Sequence, residues 1–104
     1  MTEIEFTNTV LSFEKTEEKP HFDRTAFKVI GKRIFATLHS PTKTANLKLP
    51  LAEQSVFSNF GDAIYPVNNK WGLQGWTCFE IDNLPHDLLL HALEIAYNHV
   101  FDKK

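Results

Sequence analysis

The chain is poor in the residues that cross-link small folds or mark common catalytic and metal sites. Of its 104 residues only one is cysteine and four are glycine, so no internal disulfide can form and no glycine-rich phosphate loop is present. The five histidines lack the spacing of a zinc motif. No apolar run approaches the roughly 20 residues that cross a bilayer. We therefore expect no metal site, no cofactor, no catalytic residues, no membrane span and no enzyme activity.

The overall composition is that of a globular protein, with 42% hydrophobic and 23% charged residues. At this length we expect one domain over residues 1–104, and a monomer. The start, "MTEIEFTNTV", is acidic and has no basic region followed by an apolar one, unlike a signal peptide. A cytoplasmic location is the expectation.

Charge is unevenly distributed along the chain. The formal net charge is −2, yet residues 24–70 hold seven Lys and Arg against Glu53 and Asp62, a net of +5. The segments on either side are acidic. The basic residues could form one positive face or be spread around the surface, and the sequence leaves both arrangements open.

The first half of the chain reads as one helix followed by three strands. Residues 2–13 have helical spacing of apolar residues after a capping-box pattern, and the polar run 14–20 is interpreted as a connection. Alternation of apolar and polar residues then predicts strands at 26–30, 33–39 and 45–49, which form an antiparallel meander. The dipeptide Gly31-Lys32 suits a two-residue hairpin turn.

The second half predicts two further strands between two helices. Pro50 opens a helix whose buried side is expected to contain Val56, Phe57 and Phe60. An edge strand at 63–67, a strand at 76–81 and a helix at 84–101 follow. The predicted fold is α+β, an antiparallel sheet of about five strands backed by helices, in the order α-β-β-β-α-β-β-α.

Both tryptophans lie in or beside the connection "NNKWGLQG" (68–75), which separates the last two predicted strands. Trp76 begins a strand, where packing is the expected role. Trp71 lies in the loop between Lys70 and Gly72, and packing and binding are about equally expected for it.

Several strings, in this order, resemble the MmcQ/YjbR family of small bacterial proteins. They are the Phe-x-Val-x-Gly-Lys-x-x-Phe-Ala string at 27–36, the Asn-Leu-Lys-Leu string at 46–49, and the Trp-Thr pair that opens the strand at 76. The resemblance covers about residues 14–101. The closing helix departs from it at Ala96-Tyr97, where Ser-Tyr is common in the family.

The resemblance implies a fold like that of the bacterial frataxin homologue CyaY. It also implies a "double-wing" arrangement of sheet and hairpins, from which the family is described as DNA-binding. Since fold does not determine function, this is an expectation about architecture first.

Three functions remain open. In a nucleic-acid-binding module, phosphate and base contacts are expected from the sheet face and hairpins, with these candidate residues: Lys28, Lys32, Arg33, Lys43, Asn46, Lys48, Lys70 and Trp71. In a regulatory module that binds another protein, Trp71 and the exposed sheet face would form the docking surface. The least favoured reading is frataxin-like metal binding, with these carboxylates as ligands: Glu3, Glu14, Glu17, Glu18 and Asp23.

Overall fold

A computed structural model describes residues 1–102 of the chain. It contains three helices and six strands. In chain order they are α1 (Glu3–Leu11), β1 (Thr16–His21), β2 (Arg24–Val29), β3 (Ile34–His39), β4 (Thr44–Lys48), α2 (Leu51–Ser58), β5 (Ile64–Pro66), β6 (Trp76–Glu80) and α3 (His86–Phe101). Two short 3-10 turns, Gly72–Gln74 and Ile81–Asn83, flank β6.

All six strands belong to one antiparallel sheet, in the order β1-β2-β3-β4-β6-β5. The α+β fold with a helix-backed antiparallel sheet is therefore confirmed. Within residues 1–102, no helix combines the length and the apolar character needed to span a bilayer.

The three helices pack on the same face of the sheet, each through an aromatic ring. Phe6 of α1 meets Phe27 of β2, with ring centroids 5.8 Å apart. In the same way Phe57 of α2 meets Phe79 of β6 at 6.0 Å. Tyr97 of α3 lies 5.8 Å from Phe35 of β3. Such edge-to-face pairs add directional contacts to the burial of the rings, so they fix where each helix sits.

No helix within residues 1–102 packs on the opposite face of the sheet, which we call the open face. Register places one row of residues across it, Ala26, Thr37, Asn46, Cys78 and Tyr65. Because side chains alternate along a strand, Lys28, Lys48 and Trp76 share this face two positions further along.

The interpretation of residues 14–20 as a connection was wrong, because β1 occupies most of that segment. The strand is polar because it lies at the edge of the sheet, where its last four residues are exposed. Pro20 is compatible with this position, since an edge strand has one side on which no backbone donor is needed. A strand without a buried face has no alternating pattern to detect.

The turn between β2 and β3 is also longer than the two residues predicted. Residues 30–33 separate the strands, and the backbone N–H of Lys32 donates to the carbonyl of Val29 over 2.8 Å. Gly31 has φ +81°, which suits the third position of a type II turn. This turn projects Lys32 and Arg33 beyond the end of the sheet.

The buried side of α2 differs from the prediction. Phe57 is buried as expected, whereas Val56 and Phe60 are 63% and 57% exposed. The second buried residue of the helix is the polar Gln54. The prediction failed because it chose the helix face by hydrophobicity alone.

Candidate functional site

A cleft of about 970 Å³ opens at one end of the sheet. One wall is the β2–β3 turn with Lys32 and Arg33, and the other is the segment around Trp71. Lys48 and Trp76, both half-buried, lie at the bottom between these walls. The C-terminal end of α3 borders the cleft through His99 and Val100, and Ile34 and Gln74 complete the lining. We refer to this feature as the cleft.

Strand pairing brings the bottom of the cleft together. Lys48, the last residue of β4, is the register partner of Trp76, the first residue of β6. The next backbone link, from the N–H of Leu49 to the carbonyl of Gly75, spans 3.0 Å. An ammonium group and an indole ring are therefore neighbours on one rigid sheet.

Lys32 has a structural contact besides its place in the wall. Its ammonium nitrogen lies 5.9 Å from the centre of the Phe101 ring, at the C-terminal end of α3. A cation is favoured over an aromatic face and at the negative end of a helix. Both effects hold Lys32 at the mouth of the cleft.

The second wall is a tightly bonded turn, residues 67–75, which we call the Trp71 turn. The side chain of Asn69 accepts a hydrogen bond from the backbone N–H of Trp71 over 2.9 Å. The carbonyl of Trp71 in turn accepts from the N–H groups of Gln74 and Trp76, at 3.0 and 3.1 Å. The loop that presents Trp71 is thus fixed by its own backbone bonds.

Two glycines let this turn pack against its surroundings. A Cβ on Gly72 would lie 2.0 Å from the carbonyl oxygen of Val67. One on Gly75, which has φ +107°, would lie 2.0 Å from the carbonyl oxygen of Leu49. Real Cβ atoms never approach oxygen so closely, so both positions require glycine.

Gln54 anchors the Trp71 turn from beneath. Its side-chain amide donates to the backbone carbonyl of Gly72 over 2.9 Å and to that of Trp76 over 3.2 Å. Gln54 is 9% exposed, so its bond to Gly72 forms away from water, while its bond to Trp76 is partly buried. One polar residue of α2 therefore positions both tryptophan-bearing segments.

Trp71 itself is 50% exposed. The ammonium nitrogen of Lys70 lies 5.9 Å from the centre of its ring. The ring is accessible from solvent, and a positive charge lies beside it.

Four of the predicted site residues line the cleft: Lys32, Arg33, Lys48 and Trp71. Lys70 adjoins them next to Trp71. Lys28 and Asn46 lie outside the cleft, on the open face of the sheet. Lys43 lies at the opposite end of β4, where its ammonium contacts the Glu3 carboxylate at 2.7 Å. The structure thus brings five of the eight residues to one end of the molecule.

Sequence reasoning missed Gln54, Gln74 and His99, and it favoured packing over binding for Trp76. Gln54 offered one signal, because it lies three residues before Phe57 and so on the same side of α2 as the buried ring. Nothing in the sequence distinguished Gln74 or His99, which depend on the meeting of two distant segments.

Tyr65 and Cys78 face each other across β5 and β6 on the open face. A hydrogen bond with Cys78, partial burial and the nearby Glu80 carboxylate all raise the pKa of the Tyr65 hydroxyl. The hydroxyl remains protonated and donates to Glu80 over 3.3 Å. Within residues 1–102, no three His, Cys, Asp or Glu side chains lie close enough together to hold a metal ion.

A protein-family model, YjbR, matches residues 11–99. The chain belongs to the YjbR family. The YjbR match runs from the last residue of α1 to His99 in α3, so it includes all six strands and nearly all of the cleft lining. The resemblance seen in the sequence strings is confirmed. Comparison with curated proteins finds no match.

Proposed function

We propose that this protein binds nucleic acid, with the cleft as the contact site. The observation that carries the proposal is the meeting of Lys32, Arg33 and Lys48 with two tryptophans in one recess. Lysine and arginine bind phosphate, and aromatic rings stack on bases. The combination is typical of a surface that contacts both parts of a nucleotide.

The charge distribution is compatible with this role despite the net charge of −2. Three of the seven basic residues of the 24–70 segment line the cleft, and a fourth, Lys70, lies beside Trp71. Charges act on a phosphate over about one Debye length, roughly 8 Å at physiological salt. Acidic residues farther away than this therefore repel a phosphate in the cleft only weakly. The proposal includes a cytoplasmic location, which the single unpaired cysteine favours.

Fluorescence anisotropy of labelled oligonucleotides tests the proposal. The protein is titrated into single-stranded and duplex probes at low and moderate salt. Each phosphate contact should contribute about 0.7–0.9 to the slope of log affinity against log salt. Arg33→Ala and Lys48→Ala should therefore weaken binding and flatten that slope. Lys43→Ala, which removes the same charge at the other end of β4, should change little.

Absence of binding at low salt, where electrostatic attraction is strongest, would reject the proposal. Equal losses from Lys48→Ala and Lys43→Ala would also contradict it, because binding would then depend on overall charge and not on the cleft.

A second candidate function is a protein-interaction module. The observation in its favour is the exposure of large apolar side chains on and after α2, with Leu51, Val56 and Phe60 each more than half exposed. Exposed apolar residues of this kind occur at docking surfaces. This alternative would be supported if the protein did not bind oligonucleotides and if substitution of Val56 abolished binding to a partner protein.

A further inference from the structure

We infer that the cleft accepts an unpaired nucleotide, so that the preferred ligand is single-stranded nucleic acid. This inference rests on the proposed function and specifies its ligand. Two observations support it: the functional groups lie at two different depths in the cleft, and the wall that bears Trp71 is held in place by hydrogen bonds.

The cleft places its groups at two depths. Lys32, Arg33 and Trp71 are exposed at the rim, whereas Lys48 and Trp76 are half-buried at the bottom. A single strand can turn one base inward while its phosphates stay at the rim. The bases of a duplex are stacked and paired inside it, so none can reach the bottom without unpairing.

The volume of the cleft agrees with a ligand of nucleotide size. At about 970 Å³ it lies near the upper end of the range for small-molecule sites, about 300–1,000 Å³. Proteins that read duplex DNA instead insert a projecting helix or ribbon into a groove about 12 Å wide. Here Lys48 and Trp76 are recessed between two walls, and of the three groups only Trp71 reaches the rim.

Trp71 is suited to stacking without rearrangement. Its ring is half-exposed, and its backbone is held by Asn69 and by the anchored Gly72. A platform that is already ordered loses little conformational entropy when a base binds. Because every base has an aromatic face, such stacking tolerates any sequence. Gln74 adds an amide at the lining that can pair with a base edge.

The test compares a labelled 12-base single strand of mixed sequence with a duplex of the same length and with unlabelled mononucleotide as competitor. The wild type is measured beside Trp71→Ala and the control Leu73→Ala, a neighbouring residue that is 80% exposed and outside the cleft lining. Circular dichroism verifies that each variant folds, and Trp71→Phe tests whether a second aromatic ring rescues binding.

We expect the single strand to bind at least about tenfold more tightly than the duplex. Trp71→Ala should weaken single-strand binding about tenfold, the effect of one lost stacking contact, and leave the salt slope unchanged. Leu73→Ala should remain close to wild type, and Trp71→Phe should recover most of the affinity.

The possible failures are distinguishable. Equal or tighter binding of the duplex, or a Trp71→Ala variant with wild-type single-strand affinity, would overturn this inference while leaving nucleic-acid binding intact. Mononucleotide that competes at the same concentration as the 12-mer would overturn it in favour of a small-ligand site. Failure of both probes to bind at low salt would overturn the proposed function itself.

Discussion

The buried side-chain amide of Gln54 donates to the backbone carbonyl of Gly72 over 2.9 Å, joining α2 to the Trp71 turn. A second bond from the same amide reaches the carbonyl of Trp76. One side chain therefore ties together the wall and the bottom of the cleft.

Gln54→Leu should destabilise the protein although leucine is apolar, suits a buried position and is of similar size. The carbonyls of Gly72 and Trp76 would each lose one of two donors, since they keep the backbone N–H groups of Gly75 and Val67. Each lost hydrogen bond contributes about 0.5–1.5 kcal/mol to stability. Urea unfolding followed by circular dichroism measures the change. Ser55→Ala, one residue further along α2 and exposed, is the matched control and should stay within about 0.5 kcal/mol of wild type. A Gln54→Leu variant as stable as this control would show that the two bonds contribute nothing net.

Gly75→Ala should lower the stability of the protein more than adding a methyl group at any other position outside the core. The residue has φ +107°, a conformation that costs other residues about 1–3 kcal/mol, and its new Cβ would collide with the Leu49 carbonyl. Gly61→Ala is the control, because a Cβ there meets no atom within 4 Å and φ is not positive. Thermal unfolding should show a clear fall in the midpoint for Gly75→Ala and little change for Gly61→Ala. Similar midpoints for the two would contradict the close packing of this turn.

Phe22→Gly should stabilise the β1–β2 hairpin. Phe22 is 96% exposed and has φ +58° in a two-residue turn, where glycine is favoured. Glycine adopts the left-handed conformation without strain, which stabilises the folded state, but its greater freedom in the unfolded chain offsets part of this effect. The net result should be an increase of about 0.5–1 kcal/mol in the free energy of unfolding.

Phe22→Ala separates the backbone effect from loss of the ring, since alanine keeps the unfavourable φ. It should show no gain by the same unfolding measurement. If Phe22→Gly were less stable than wild type, the ring contact between Phe22 and His21, with centroids 5.0 Å apart, would outweigh the backbone strain.

The Glu3–Lys43 pair should make stability depend on pH at both ends of the range. Hydrogen bonding from Lys43 lowers the pKa of the Glu3 carboxyl below its usual 4.5, so this contribution is present at neutral pH and is lost as the pH falls through the lowered value. The same bond raises the pKa of Lys43 above 10.5, so its contribution is lost as the pH rises through the raised value.

Glu3→Gln tests this pair. Its deficit in stability against wild type should be small, largest between the two titrations, and reduced by salt because Lys43 is exposed and Glu3 partly exposed. Denaturant unfolding from pH 3 to pH 11 measures it. A deficit that is unchanged across this range would mean that the ion pair is not its source.

Most of the fold was predictable because apolar residues recur every second position in most inner strands and every three or four positions in the helices. β1 was missed because its edge position leaves it polar throughout, and the inner face of α2 was misjudged because hydrogen bonding overrides hydrophobicity at Gln54. For the cleft, residue types were predictable but grouping was not. Lys43 and Lys48 look equivalent in the sequence, yet they lie at opposite ends of one strand. Only the sheet register, and the position of the β2–β3 turn opposite the Trp71 turn, show that Lys48 belongs to the cleft and Lys43 does not.

Both tryptophans of the chain line the cleft, and there are no others. Selective excitation of indole therefore reports on this site alone, without any attached dye. A ligand that enters between Trp71 and Lys48 should quench or shift the emission, whereas one that binds at the opposite end of β4 should leave it unchanged. The protein thus carries its own optical probe, with which unlabelled compounds of any size can be screened.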